Sequence, residues 1–374
     1  MPKADGILFC GGGTGGHVLP GLAVASALRG HGVGGLRWIG DPDRIEAKLV
    51  PSQQINLLPL GLRRPRLWNP LWIAHAIATA WGVWRELTAR PPRVIIALGG
   101  YASLVPGLLA PLMRRPLVVM EQNARAGRTN KLLARFAARI ITQFDESACG
   151  LPATRVRRFG NPVRAIACHE RGCQAEFTVL VVGGSLAAKS LNDLVALSVH
   201  QLKRITGLRV IHIAGEQDRG RIASIYAEAG MTAEVLGFVD DIPRLYDRVD
   251  LAVTRAGATT VAELCAAGIP AIYIPLPWAA DDHQTANAQA IAAVGGALVL
   301  AQATTRPEDV ATHIADLATD RARVTVMGKA AAMLARPDAA VRVARLVQRL
   351  IAPRRLGKSA SRSAWRARLV DTNH

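Results

Sequence analysis

Acidic residues are scarce: the 374-residue chain has 28 Asp and Glu against 46 Lys and Arg, a formal net charge of +18. That imbalance suits a polyanion, an anionic membrane surface or an acidic substrate, and composition does not choose among them. Aromatics are few as well, at 5%. Most basic residues are Arg with little aromatic interleaving, which argues against a base-stacking platform, so no nucleic-acid partner is expected. The five cysteines form no paired framework, as in a reducing compartment. Cys168-His169 and Cys173 lack a second pair at zinc-like spacing, so no metal is expected. No charged-then-apolar leader opens the chain, and secretion is not expected. No long low-complexity block appears and half the residues are hydrophobic, which excludes a disordered chain and leaves room for two domains.

The most informative stretch runs from Thr254 to Ala288. Leu251-Ala252-Val253 reads as a strand, Gly257 as a turn, and Thr259 to Ala267 as a helix ended by Gly268. Ile272-Tyr273-Ile274 follows as the next strand. A helix that opens behind a glycine turn has unpaired N–H groups and a positive dipole end, which suits a diphosphate. Glu263, about one turn further in, can accept hydrogen bonds from two neighbouring sugar hydroxyls. Gln284 and Asn287 are three apart and share a helical face, offering amides to another hydroxyl-rich group. Together these groups describe a nucleotide-sugar site. Taken singly, each also fits an ordinary βα unit.

Earlier in the chain, Ile7-Leu8-Phe9-Cys10 reads as a buried strand leading into GGGTGGHVLPGLAVASAL, with a helix expected over Leu22–Leu28. No Lys follows the glycines, so this is not a nucleoside-triphosphate loop, and a dinucleotide fingerprint fits only loosely. His17 puts an imidazole at the carboxyl end of a strand, where open α/β sheets bind ligands. It is a candidate general base, or else a loop-stabilising side chain. Further on, Arg63, Arg64 and Arg66 precede an uncharged run to Trp84. In it Ile73, Ile77, Trp81 and Trp84 fall at helical spacing, and Trp72 adds a further aromatic. Pro70 opens the helical part, leaving too few apolar residues to span a bilayer, which takes about 17 or more. An interfacial helix on an anionic surface is expected, with an ordinary buried helix as the alternative.

Other strand ends carry Gly99-Gly100-Tyr101, Glu121-Gln122-Asn123 and Gly160-Asn161-Pro162-Val163-Arg164, as though lining a cleft. Periodicity stops near 165–176. A second strand–glycine–helix unit then opens at Phe177–Ser185. The fold class expected is α/β: two doubly wound Rossmann-like domains facing across a cleft. The first would span 1–165 and bind acceptor and membrane; the second, 166–352, would bind the donor. A basic tail of 353–374 completes the chain.

The ordered set GGTGGHVLPGLAVA, GGYAS, EQN, GNPVR, GGS and TRAGATTVAEL…DDHQTANA resembles the lipid II-forming cell-wall glycosyltransferases of bacteria, the undecaprenyldiphospho-muramoylpentapeptide β-N-acetylglucosaminyltransferases. The likeness covers both halves. It implies a glycosyltransferase-B fold and an inverting, metal-independent hexosyltransferase without a cofactor. The implied donor is UDP-N-acetylglucosamine, and the acceptor is the undecaprenyl-diphospho-N-acetylmuramoyl-pentapeptide, lipid I. It also implies a peripheral place on the cytoplasmic face of the inner membrane, among cell-wall synthesis proteins. By that likeness His17 is the base. Thr14, Gly15, Gly16, Asn123, Arg164, Ser185, Val239, Ala258, Thr259, Thr260, Val261, Ala262, Glu263 and Gln284 meet the donor. The chain departs from the pattern at Ala187, a glycine in the usual motif, and at Met120, commonly a histidine. Two alternatives stand beside this reading. One is a related transferase acting on another membrane lipid. The other is an NAD-dependent oxidoreductase, for which Glu46 and Asp41 are the nearest candidate ribose acids.

Overall fold

The computed structural model describes residues 6–60, 70–164, 166, 176–183, 189–239 and 241–352, without the side chains of 70–73 and 280. Arg63, Arg64, Arg66, Ser185, Ala187 and the tail from Pro353 lie outside the described residues, and Trp72 and Ile73 contribute backbone only.

Short apolar runs form two all-parallel sheets. The first contains β1 (Ile7–Cys10), β2 (Leu36–Gly40), β3 (Asn56–Pro59), β4 (Val94–Ala97), β5 (Leu117–Glu121), β6 (Arg139–Thr142) and β7 (Val156–Arg158). The second contains β8 (Phe177–Val182), β9 (Leu208–Ile213), β10 (Ala233–Leu236), β11 (Leu251–Thr254), β12 (Ala271–Tyr273) and β13 (Ala297–Val299). Central strands such as Ile7–Cys10 and Val94–Ala97 are buried throughout, because helices cover both faces of each sheet. Each sheet therefore separates two apolar clusters. The strand orders are β3-β2-β1-β4-β5-β6-β7 and β10-β9-β8-β11-β12-β13. Direction of winding reverses between β1 and β4 in one lobe and between β8 and β11 in the other. Crevices open at such reversals, outside the carboxyl ends of the strands. His17 follows β1 and the Gly257 turn follows β11, so each lobe brings its candidate residues to its own crevice.

Two elements differ from the sequence expectation. The first helix runs Gly15–Gly30 and so starts well before Leu22. Glycines and Pro20 have poor intrinsic helix propensity, but the apolar face of Val18, Val24 and Leu28 packs onto the sheet and overrides it. The second difference concerns the helix Ala339–Ile351, within the span assigned to the second domain. Its apolar face, Val343, Ala344 and Val347, belongs to the core of the first. Gln348 donates to the His31 carbonyl and Arg93 to that of Ile351, so the chain ends its described part on the lobe where it began.

Candidate active site

In the first lobe, Thr14 caps the helix Gly15–Gly30, its carbonyl accepting from the amides of His17 and Val18. Its hydroxyl lies 3.2 Å from His17 Nδ1 and orients the ring. A Cβ on Gly99 would come within 3.0 Å of His17 Cδ2 and Nε2, and Gly99 has φ +103°, so glycine is required where the imidazole passes. The His17 pKa is lowered from its ordinary 6.5, mainly by burial. His283 of the opposite lobe adds to the lowering, while the carboxylates of Glu121 and Glu46 oppose it. A ring shifted in this direction is neutral at pH 7, as a base must be.

Two buried carboxylates hold this side of the cleft in shape. Glu46 accepts from the Gly13 amide at 2.9 and 3.0 Å and from the Asp41 amide at 3.0 Å. That removes Glu46 from the two candidate acids of a dinucleotide reading, because it is fully buried and serves its own glycine loop. Glu121 accepts from the Asn123 amide, the Gly127 amide and the Asn130 side chain. From the sequence, Glu121 reads as a strand end and Glu46 as a ribose candidate. Their partners lie up to 33 positions away, which no local pattern encodes.

In the second lobe, the helix Ala258–Ala267 opens at Gly257 and is closed by left-handed Gly268. The amides of Ala258, Thr259 and Thr260 belong to the first turn and have no intrahelical partner, the arrangement a helix start offers to an anion. Glu263 lies one turn in, 8% exposed, and accepts from Tyr246 Oη at 3.0 Å. Burial pushes its carboxyl up to about 7, against the Tyr246 hydrogen bond and the charge of Arg164. Arg164 itself pairs with Asp241 at 3.3 Å. Val239 follows the end of β10, beside Phe238, whose amide is held by Glu216. Gln284 Oε1 accepts from the Leu276 amide at 3.0 Å, which leaves its NH2 group as the one it can offer a sugar hydroxyl.

Arg255, just before the turn, escaped the sequence reading. It is 4% exposed and has no carboxylate partner among the described residues. Its guanidinium donates to the Ile274 carbonyl, Ser190 Oγ and Gln302 Oε1, tying the segments that follow β12 and β13 to the helix Lys189–Leu197. Burial lowers its pKa to about 10, so it remains a cation next to the helix terminus. An arginine ending an apolar strand with no acid nearby was the available signal.

Three expected donor contacts have other neighbours in the structure. Val261 is a fully buried core residue whose amide bonds Gly257 O. Ala262, two residues beyond the free amides of the first turn, faces the junction of the lobes. Asn287 is fully buried: its Oδ1 accepts from the Ala124 amide at 2.7 Å, and its Nδ2 donates to Asn123 Oδ1 and the Ala256 carbonyl. It bridges the lobes, as do Arg125 and Arg128, both bound to Asp281. Asn287→Ala leaves buried backbone groups unpaired at about 1–3 kcal/mol each, and the melting midpoint is expected to fall by roughly 5–10 °C. UDP affinity is expected to stay within about threefold. A larger loss of UDP affinity with unchanged melting would return Asn287 to the donor set.

Residues 7–142 match the glycosyltransferase family 28 N-terminal domain, and residues 178–343 the family 28 C-terminal domain. A Bordetella parapertussis protein named UDP-N-acetylglucosamine–N-acetylmuramyl-(pentapeptide) pyrophosphoryl-undecaprenol N-acetylglucosamine transferase is 41% identical over 354 residues, covering 89% of this chain and 97% of that protein. The Alkalilimnicola ehrlichii protein of the same name is 40% identical over 352 residues, covering 91% and 97%. Among solved structures, Acinetobacter baumannii MurG superposes with a TM-score of 0.77 at 33% identity, covering 92% of this chain and 99% of that one. A kitacinnamycin glycosyltransferase, 18% identical with a TM-score of 0.67, shares the fold.

Proposed function

The chain belongs to glycosyltransferase family 28 and, within it, to the pyrophosphoryl-undecaprenol N-acetylglucosamine transferases, and from that premise we propose how it works. It moves N-acetylglucosamine from UDP-N-acetylglucosamine to undecaprenyl-diphospho-N-acetylmuramoyl-pentapeptide, giving lipid II. The acceptor's sugar hydroxyl attacks the anomeric carbon from the face opposite UDP. A carbon–oxygen bond forms there, the bond to the diphosphate breaks, and UDP leaves with the electron pair. His17 takes the hydroxyl proton. The amides of Ala258–Thr260 and the charges of Arg255 and Arg164 receive the departing diphosphate, Glu263 holds the ribose, and Gln284 reads the sugar. The observation that carries this reading is the pairing of crevices: an imidazole after β1 oriented by Thr14, opposite a helix terminus after β11 with a buried carboxylate one turn in.

The enzyme is incubated with radiolabelled UDP-sugars and a short-chain lipid acceptor. Label is expected to move from UDP-N-acetylglucosamine to the muramoyl-pentapeptide lipid. Transfer to diacylglycerol in its place would favour the related lipid transferase.

Among the described residues, no helix is long and apolar enough to cross a membrane. We place the protein peripherally on the anionic cytoplasmic face, through the helix Pro70–Ala89. Its Val83 and Leu87 are buried, whereas Ile77 and Trp81 are each 65% exposed and Trp84 is half-buried. Burying each exposed side chain in the headgroup region contributes about 1.5–3 kcal/mol. Ile77→Glu with Trp81→Glu is expected to lower binding to anionic vesicles at least about 100-fold while sparing UDP binding. Unchanged vesicle co-sedimentation would remove this helix from the membrane contact.

A further inference from the structure

The motif Gly160-Asn161-Pro162-Val163-Arg164 contributes Arg164 to the donor site, but Asn161 has no part in the function described so far. Two segments carry the chain between the lobes: this one, leaving β7, and Leu334–Asp338, which leads into the helix Ala339–Ile351. They meet at Gly160, which has φ +92°, and where a Cβ would lie 2.3 Å from the Arg336 Cβ. At the meeting point is a cavity of about 10 Å³, lined among others by Gln143, Asn161, Val163, Ala262 and Arg336. That volume has room for one water molecule.

The polar groups lining it are unanswered. Asn161 is 4% exposed and Gln143 6%. Neither amide atom of Asn161, nor Gln143 Oε1, has a hydrogen-bond partner among the described residues. Leaving three such atoms dry in a folded interior is costly, and native structures satisfy groups like these with ordered water. One water can donate to Gln143 Oε1 and accept from Asn161 Nδ2 within the cavity, and it would still have a second proton for a neighbour. Two of the apolar lining residues say what this arrangement supports. Val163 immediately precedes Arg164, and Ala262 immediately precedes Glu263. The cavity is therefore lined by the chain neighbours of both proposed donor residues.

We infer that Asn161 and Gln143, through one shared buried water, are positioning residues that set Arg164 and Glu263 for UDP-sugar binding. The inference rests on the donor-site reading above. Gln143→Met removes the acceptor at near-constant volume. It is expected to raise KM for the UDP-sugar about tenfold with kcat within about twofold, and to shrink the thermal stabilisation given by UDP. Gln143→Glu keeps an acceptor oxygen and is expected to restore most of the affinity. A high-resolution crystal structure of the full chain is expected to show a water bridging the two amides. Either a dry cavity, or a Gln143→Met protein that melts lower yet keeps its full UDP-induced shift, overturns the inference while leaving the donor site intact. If Gln143→Met does not fold, the electron density of the unaltered protein decides. If UDP does not stabilise the unaltered protein, the donor-site reading falls and takes this inference with it.

Discussion

His17→Ala is expected to lower turnover by about 10²–10⁴-fold while leaving UDP affinity nearly unchanged, because the imidazole acts on the acceptor hydroxyl and not on the nucleotide. The two readouts separate because of the geometry. His17 belongs to the first lobe, held by Thr14 and passing over Gly99. The diphosphate and ribose groups belong to the second. The pH dependence carries a sign as well. Burial lowers the His17 pKa below 6.5, so the active neutral ring persists through neutral pH and kcat/KM declines only on the acid side of the ordinary histidine range. In His17→Ala that acid limb should vanish along with the rate. Near wild-type turnover in the variant would remove His17 from the base role, and so would an acid limb that survives the substitution.

Glu263→Gln is expected to weaken UDP binding by about 10²-fold or more, since two charge-assisted hydrogen bonds to the ribose are replaced by weaker ones. The same change should stabilise the protein in the absence of nucleotide. Burial raises the Glu263 carboxyl from 4.5 to about 7, so between those values the folded state holds a proton that the unfolded state has released. Folding stability contributed by this group is therefore present at low pH, is lost as pH rises through that window, and is fully lost above about 7. The loss amounts to about 3 kcal/mol at most. Glutamine carries no charge to desolvate and can still accept from Tyr246. Its melting midpoint should exceed that of the unaltered protein at pH 8 and match it near pH 4. A variant that melts lower at pH 8 would contradict this account of Glu263, and so would one that binds UDP normally.

What could be read in the sequence was local. The strand at Ile7–Cys10, the turn at Gly257, the stop at Gly268 and the imidazole behind the first strand all follow from neighbours within a few positions. Such signals survive folding because the crevice of a doubly wound sheet is built from strand ends and helix starts. Long-range partners did not survive as signals. Asn287 looked like a ligand amide because its spacing from Gln284 fits a helical face, yet its partners are Asn123, Ala124 and Ala256, in other parts of the chain. Glu46 looked like a candidate ribose acid, yet it binds the Gly13 amide. The helix Ala339–Ile351 has a clear amphipathic pattern, but nothing in that pattern names which lobe it covers. The early start of the first helix was hidden for another reason: its residues are poor helix formers individually, and packing decides their conformation.

In the proposed mechanism UDP lies on the second lobe's helix terminus, facing His17 across the cleft. A crystal structure of the enzyme with UDP tests it most directly. The diphosphate is expected on the Ala258, Thr259 and Thr260 amides, the ribose hydroxyls on Glu263, and the His17 ring turned toward the β-phosphate side. UDP bound over the Gly11–Gly16 loop would contradict it, as would an imidazole turned away from the gap.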